Sequence, residues 1–167
     1  MWKEIEAFFC DKPAKLKLAR LMVELGFSVD NKGNIVCGGV EIIDSSIAKA
    51  AGIDRRIVRE TVKAIQGDSR MRKIFSENKP AGSFLKDIAP TLGYGVLEVR
   101  ASPEAVGVIS RATTYIAEAG VPIRQILAED PDFNPDPKLI IITERQVPGE
   151  VVSKILTIPT VKKISLS

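Results

Sequence analysis

Four basic side chains stand at spacings that suit a polyanion: Arg55, Arg56, Arg59 and Lys63. On a helix, Arg56, Arg59 and Lys63 share one face, because residues three and four apart are neighbours there. Arginine grips a guanine edge or a phosphate with two parallel N–H groups, and lysine adds a point charge to a phosphate. The surrounding charge agrees. Residues 45–86 hold ten basic against four acidic residues, in a chain whose net charge is only +3. A basic zone inside a balanced chain points to a polyanion partner for that zone, although a solvated basic face carries the same count. Arg70, Arg72, Lys73 and Lys79 either extend the phosphate track or are solvated.

Other chemistry is missing. The 167 residues include no histidine, so Ser-His and Cys-His nucleophile systems, a His base and His metal ligands are all excluded. Cys10 and Cys37 are too few for a Cys₄ site and are expected as free thiols in a reducing cytosol, pairing being the alternative. No catalytic, cofactor or metal constellation is visible, and an enzyme is not expected. No apolar run approaches the ~18 residues of a membrane span. The start, MWKEIEAFF, lacks the features of a signal peptide, so a cytoplasmic protein is expected.

The positioning elements follow from periodicity. Trp2, Ile5 and Phe9 predict a short helix. A second begins near Pro13, with Leu18, Leu21, Met22 and Leu25 as its stripe and Gly26 as its C-terminal cap. Residues 27–29 and 35–37 flank a turn at 30–34 and read as a small hairpin. Residues 44–66 are helical with one break. Asp44 or Ser45 caps the first piece, which ends at Gly52; Asp54 caps the second, whose stripe is Val58, Thr61, Val62 and Ile65. Residues 76–93 read as a linker with a short helical candidate at 84–89, between domains 1–75 and 94–167.

Ala48, Gly52 and Val58 carry a spacing with a physical reason. A small residue lets two helices cross closely, Gly52 supplies the turn, and Ile47, Ile53 and Val58 fill the wedge. Residues 44–63 resemble the helix-turn-helix signature. That resemblance implies DNA contact by Arg55, Arg56, Arg59 and Lys63 on the second helix. A three-helix unit with a charged outer face carries the same pattern.

Residues 94–167 predict strands at 96–101, 121–128, 139–145 and 161–166, with helices at 105–119 and from Pro148 to about 157. The order is β-α-β-β-α-β, the ferredoxin-like arrangement. The fold class is therefore α+β, a mainly helical N-terminal domain with a small hairpin followed by a ferredoxin-like domain. An RNA-recognition module of the same order needs aromatic residues on its central strands, which are absent here. Residues 139–142 are apolar on both faces, which calls for cover from a partner or from the N-terminal half.

The runs Ala101 to Ile109 and Ala117 to Ile123 resemble the ACT domain, a ligand-binding module of amino-acid metabolism. Val106 stands where that family usually has proline, and Pro122 where many members have asparagine. Together the halves resemble predicted archaeal regulators of amino-acid metabolism that contain an ACT domain. The resemblance implies an amino-acid-responsive transcription regulator, DNA as partner, and a homodimer or larger homo-oligomer through the C-terminal domain. It also implies a small amino-acid effector at Ser102, Glu104, Ala105, Val106 and Gly107, with Ile123 and Arg124 of a neighbouring copy. The alternative is a regulatory or dimerisation subunit that docks on an amino-acid biosynthetic enzyme.

Overall fold

A computed structural model describes residues 1–167, which divide into two units, Met1–Gly82 and Ser83–Ser167. The division falls inside the stretch read as a linker. The fold is α+β, with two antiparallel sheets. No helix is long and apolar enough to cross a membrane.

The first unit runs α1 (Trp2–Phe8), α2 (Pro13–Glu24), β1 (Ser28–Val29), β2 (Ile35–Cys37), β3 (Val40–Ile42), α3 (Asp44–Ala51), α4 (Arg55–Gly67) and α5 (Ser69–Glu77). Trp2, Ile5 and Phe9 are buried, as their spacing predicts. On α2 the buried set is Leu18, Ala19 and Met22, while Leu25 is exposed because the helix ends there. Gly26 follows in the left-handed region at φ 66° and turns the chain. The hairpin gains a third strand: β2 and β3 pair across Gly38-Gly39, both at positive φ, so the sheet order is β1-β2-β3. Residues 69–77, to which the sequence reading assigns no element, form α5. Asp68 caps it by accepting the Arg70 and Met71 N–H groups, and Met71 and Phe75 are buried.

The second unit holds β4 (Gly95–Ala101), α6 (Val108–Glu118), β5 (Ile123–Ala128), β6 (Lys138–Thr143), α7 (Gly149–Leu156) and β7 (Val161–Leu166). The sheet order β5-β6-β4-β7 is the ferredoxin-like one. Helix α6 starts three residues later than expected, after Gly107 at φ 86°. Residues 84–89 make a single helical turn closed by Ala89 N–H to the Leu85 carbonyl, followed by a 3₁₀ turn at Pro90–Leu92. The helix-facing core includes Leu97, Val99, Ala112, Ile116, Leu139 and Ile141.

The opposite face corrects an expectation. Ile140 and Ile142 are buried with Val96 and Ala89, against Leu85 and Tyr94. Cover comes from residues 83–94 of the same unit, a source that the sequence reading does not consider. Gln125 pins this strap by accepting the Leu85 N–H (3.1 Å) and donating to the Ser83 carbonyl (2.8 Å). Glu98 lies between Lys86 (2.7 Å) and Lys138 (3.1 Å), and the Lys86 ammonium foremost holds its carboxyl below the usual range.

Candidate nucleic-acid interface and ligand cavity

Helices α3 and α4 meet at a tight turn built by sequence. Gly52 takes φ 61°, ψ 44°, a conformation that strains other residues. Ile47, Ala48 and Val58 are buried at the crossing, with Ile53 half-buried. Asp54 caps α4 by accepting the Arg56 N–H at 2.7 Å. The cap of α3 differs from expectation. Ile43 occupies that position without a side-chain hydrogen bond, and Asp44 sits inside the first turn.

The buried face of α4, at Val58, Thr61, Val62 and Ile65, turns Arg55, Arg56, Arg59 and Lys63 outward. They divide into two pairs. Arg59 forms an ion pair with Asp44, and Arg55 Nε lies 4.0 Å from the same carboxylate. Arg56 and Lys63 have no ion pair. Glu60, which lies between them on the helix, is drawn to Lys15 of α2 at 3.0 Å. Sequence spacing groups the four basic residues; it gives no sign of Asp44, which lies fifteen positions before Arg59. Among the extended set, Arg70 is clamped by both Glu4 oxygens at 2.6 Å, which removes it from a phosphate track.

At one end of the second sheet, Ser102, Pro103 and Ala105 line a cavity of about 120 Å³ with Ala128, Glu129 and Lys138. Glu104 and Val106 do not line it. The Glu104 carboxylate accepts the Ser102 hydroxyl at 2.8 Å, a bond that holds it below its usual range, and Val106 stands 93% exposed. Gly107 precedes α6. Ile123 and Arg124 lie at the far end of β5 within the same chain. The Arg124 guanidinium donates to Glu144 (2.9 Å) and stacks over Tyr94 at 4.2 Å. Glu129 and Lys138, missed as lining residues, come from loop and strand ends with no pattern of their own. The Glu129 carboxylate is engaged by Asn134 (2.7 Å) and the Lys138 N–H (3.0 Å).

The chain matches no protein-family profile and no curated protein. Among solved structures it is similar to a transcriptional regulatory protein of the ASNC family from Pyrococcus furiosus, PF0864, at 14% identity. That match covers 92% of this chain and 85% of the other, with a TM-score of 0.29. It is also similar to PH0061, at 11% identity over 92% and 88% of the two chains, with a TM-score of 0.28. Likeness this distant leaves function to be argued from the residues.

Proposed function

We propose that the protein is a DNA-binding transcription regulator that responds to a small amino acid and acts as a homodimer. One observation carries the DNA half: the outward face of α4, second helix of a glycine turn, presents Arg55, Arg56, Arg59 and Lys63. Such a helix fits the major groove, and its basic face supplies base-edge and phosphate contacts. Binding of duplex DNA that weakens steeply between 50 and 200 mM salt is expected; no binding, or salt-independent binding, overturns this reading.

The effector half is supported by the cavity beside Ser102 and Ala105. At about 120 Å³ it suits only a small ligand, since cavities of ~150 Å³ hold benzene. Amides at the start of α6 suit a carboxylate, and Glu104 suits an ammonium once released from Ser102. Gly107 leaves room for close approach, and Ile123 and Arg124 of a second copy would close the far side of a shared site. A ligand acts on DNA affinity only by binding one arrangement better than another. A thermal-shift screen of the twenty amino acids tests this. A true ligand at a hundred times its Kd adds about 2.7 kcal/mol, and no shift with any of them leaves the second unit as a pairing device. Light scattering at micromolar protein tests the dimer, and a monomer refutes it.

A further inference from the structure

Asp44 is the one ionisable side chain that is buried, at 7% exposure. It stands in the first turn of α3, where the helix dipole favours a negative charge, and its carboxylate meets the start of α4. Arg59 and Arg55, one turn apart, both form ion pairs with Oδ2, with Nε as the pairing nitrogen and Arg55 the more distant at 4.0 Å. That oxygen receives no aligned hydrogen bond, so charge from two guanidinium groups is its compensation. A buried carboxylate stripped of its cations is strongly unfavourable, which keeps the arginines in place. Their side chains are nevertheless 71% and 53% exposed. A guanidinium is a rigid fork of five donors. With Nε the nitrogen paired to Asp44, the terminal Nη groups remain for a two-pronged acceptor, such as the O6 and N7 edge of guanine or a phosphate.

We propose that Asp44 is a positioning residue for sequence recognition: its buried carboxylate orients Arg59 and Arg55 so that their outer N–H groups meet duplex DNA in one geometry. The inference rests on the DNA-interface reading above. Positioning and plain charge predict different things. As a mere negative charge near phosphates, Asp44 opposes every duplex alike, so its removal tightens all binding equally. As a positioning residue, its removal frees two long side chains that still find phosphate but discriminate less.

The test uses the full chain, duplexes that the wild type selects from a random pool, and shuffled duplexes of the same composition. Asp44→Asn preserves shape and removes the charge. The selected-to-shuffled affinity ratio is expected to fall about tenfold or more, with shuffled binding unchanged or tighter. In an Arg59→Ala background the same change should have less effect on the ratio, which is the signature of coupled residues. An equal change on both duplexes overturns the inference. Side-chain NMR of the wild type gives a second readout that needs no variant to fold. Arg59 Nε–H is expected to be more ordered than Arg56 Nε–H, and equal mobility overturns the proposal. A wild type that binds no duplex removes the interface reading and this inference with it, a result distinct from binding that Asp44→Asn leaves unchanged.

Discussion

Removing Lys63 and removing Arg56 should weaken DNA binding in two different ways. Helix α4 rises about 1.5 Å per residue, so the seven steps from Arg56 to Lys63 set them about 10 Å apart and nearly in line. Neither is held by a protein carboxylate, in contrast to Arg59 and Arg55. A helix entering the major groove by its first turn brings Arg56 to base edges and leaves Lys63, two turns on, at the phosphate rim. One phosphate contact contributes about 0.9 to the slope of log affinity against log salt, so between 50 and 200 mM the wild type should lose about 3.5-fold more than Lys63→Ala. That loss falls on every sequence. Arg56→Ala should cost about 1–3 kcal/mol on a selected duplex, roughly 5- to 150-fold, and relax the preference at one base pair. Fluorescence anisotropy at four salt concentrations, with selected and shuffled duplexes, separates the two. An unchanged slope for Lys63→Ala, or equal weakening of both duplexes by Arg56→Ala, refutes this orientation of α4.

Gly26→Ala should destabilise the first unit by roughly 2–4 kcal/mol, because the left-handed φ disfavours alanine and overpacking adds its own cost. The added methyl would land on the Pro80 backbone and 2.5 Å from the Lys79 carbonyl carbon, and a urea midpoint equal to wild type would contradict this. Glu98→Gln should cost about 1 kcal/mol at neutral pH, a typical value for a well-placed ion pair. Because the folded carboxyl is depressed, its stabilisation is present above the unfolded value of about 4.3 and lost as pH falls through the folded one. The gap to wild type in urea should therefore shrink as pH falls through the acid range, and a gap that does not change with pH counts against the pairing with Lys86 and Lys138. Ile126→Lys on β5 should convert the proposed dimer to a folded monomer while Leu166→Lys on β7 does not, as read by light scattering; a dimer that survives Ile126→Lys places the interface elsewhere.

What was legible in the sequence were elements with enough turns or alternations to show a period. The stripe Val58, Thr61, Val62 and Ile65 is buried as spaced, and Leu97 and Val99 face the helices while Glu98 does not. Helix α5 escaped because nine residues bury only Met71 and Phe75, one i,i+4 pair, too few to show a period; Asp68 as its cap was the available sign. Strand β3 has three residues, two of them exposed, and only Gly38-Gly39 announces its turn. The strap was hidden for another reason. Leu85, Ala89 and Tyr94 follow no single period, since the segment is part turn and part extended. Asp44 beside Arg59 is a product of the interhelix angle, and no local pattern encodes it. In the second unit the loop residues Ser102 and Ala105 do reach a cavity, but its opposite wall is the Ala128 end of β5 in the same chain.

The strap also changes what can hold two copies together. Two-sided apolarity on β6 argued for cover from a partner or from the N-terminal half, yet Leu85, Ala89 and Tyr94 bury Ile140 and Ile142 within the unit. With that face covered, the sheet itself offers its two edges for the proposed pairing, and they differ. On β7, Lys162 and Lys163 are adjacent and exposed, and lysines on an edge strand oppose the addition of another strand by burying charge and by repulsion between copies. On β5 the one basic residue, Arg124, already has its charge met by Glu144 and its face covered by Tyr94. Ile126 beside it is 40% exposed, an apolar group that a second strand would cover. The polar amide of Gln125 is turned the other way, spent on the strap. Edge β5 thus offers backbone donors and acceptors and an apolar side chain without an unpaired charge, which is why the proposed dimer is assigned to that edge.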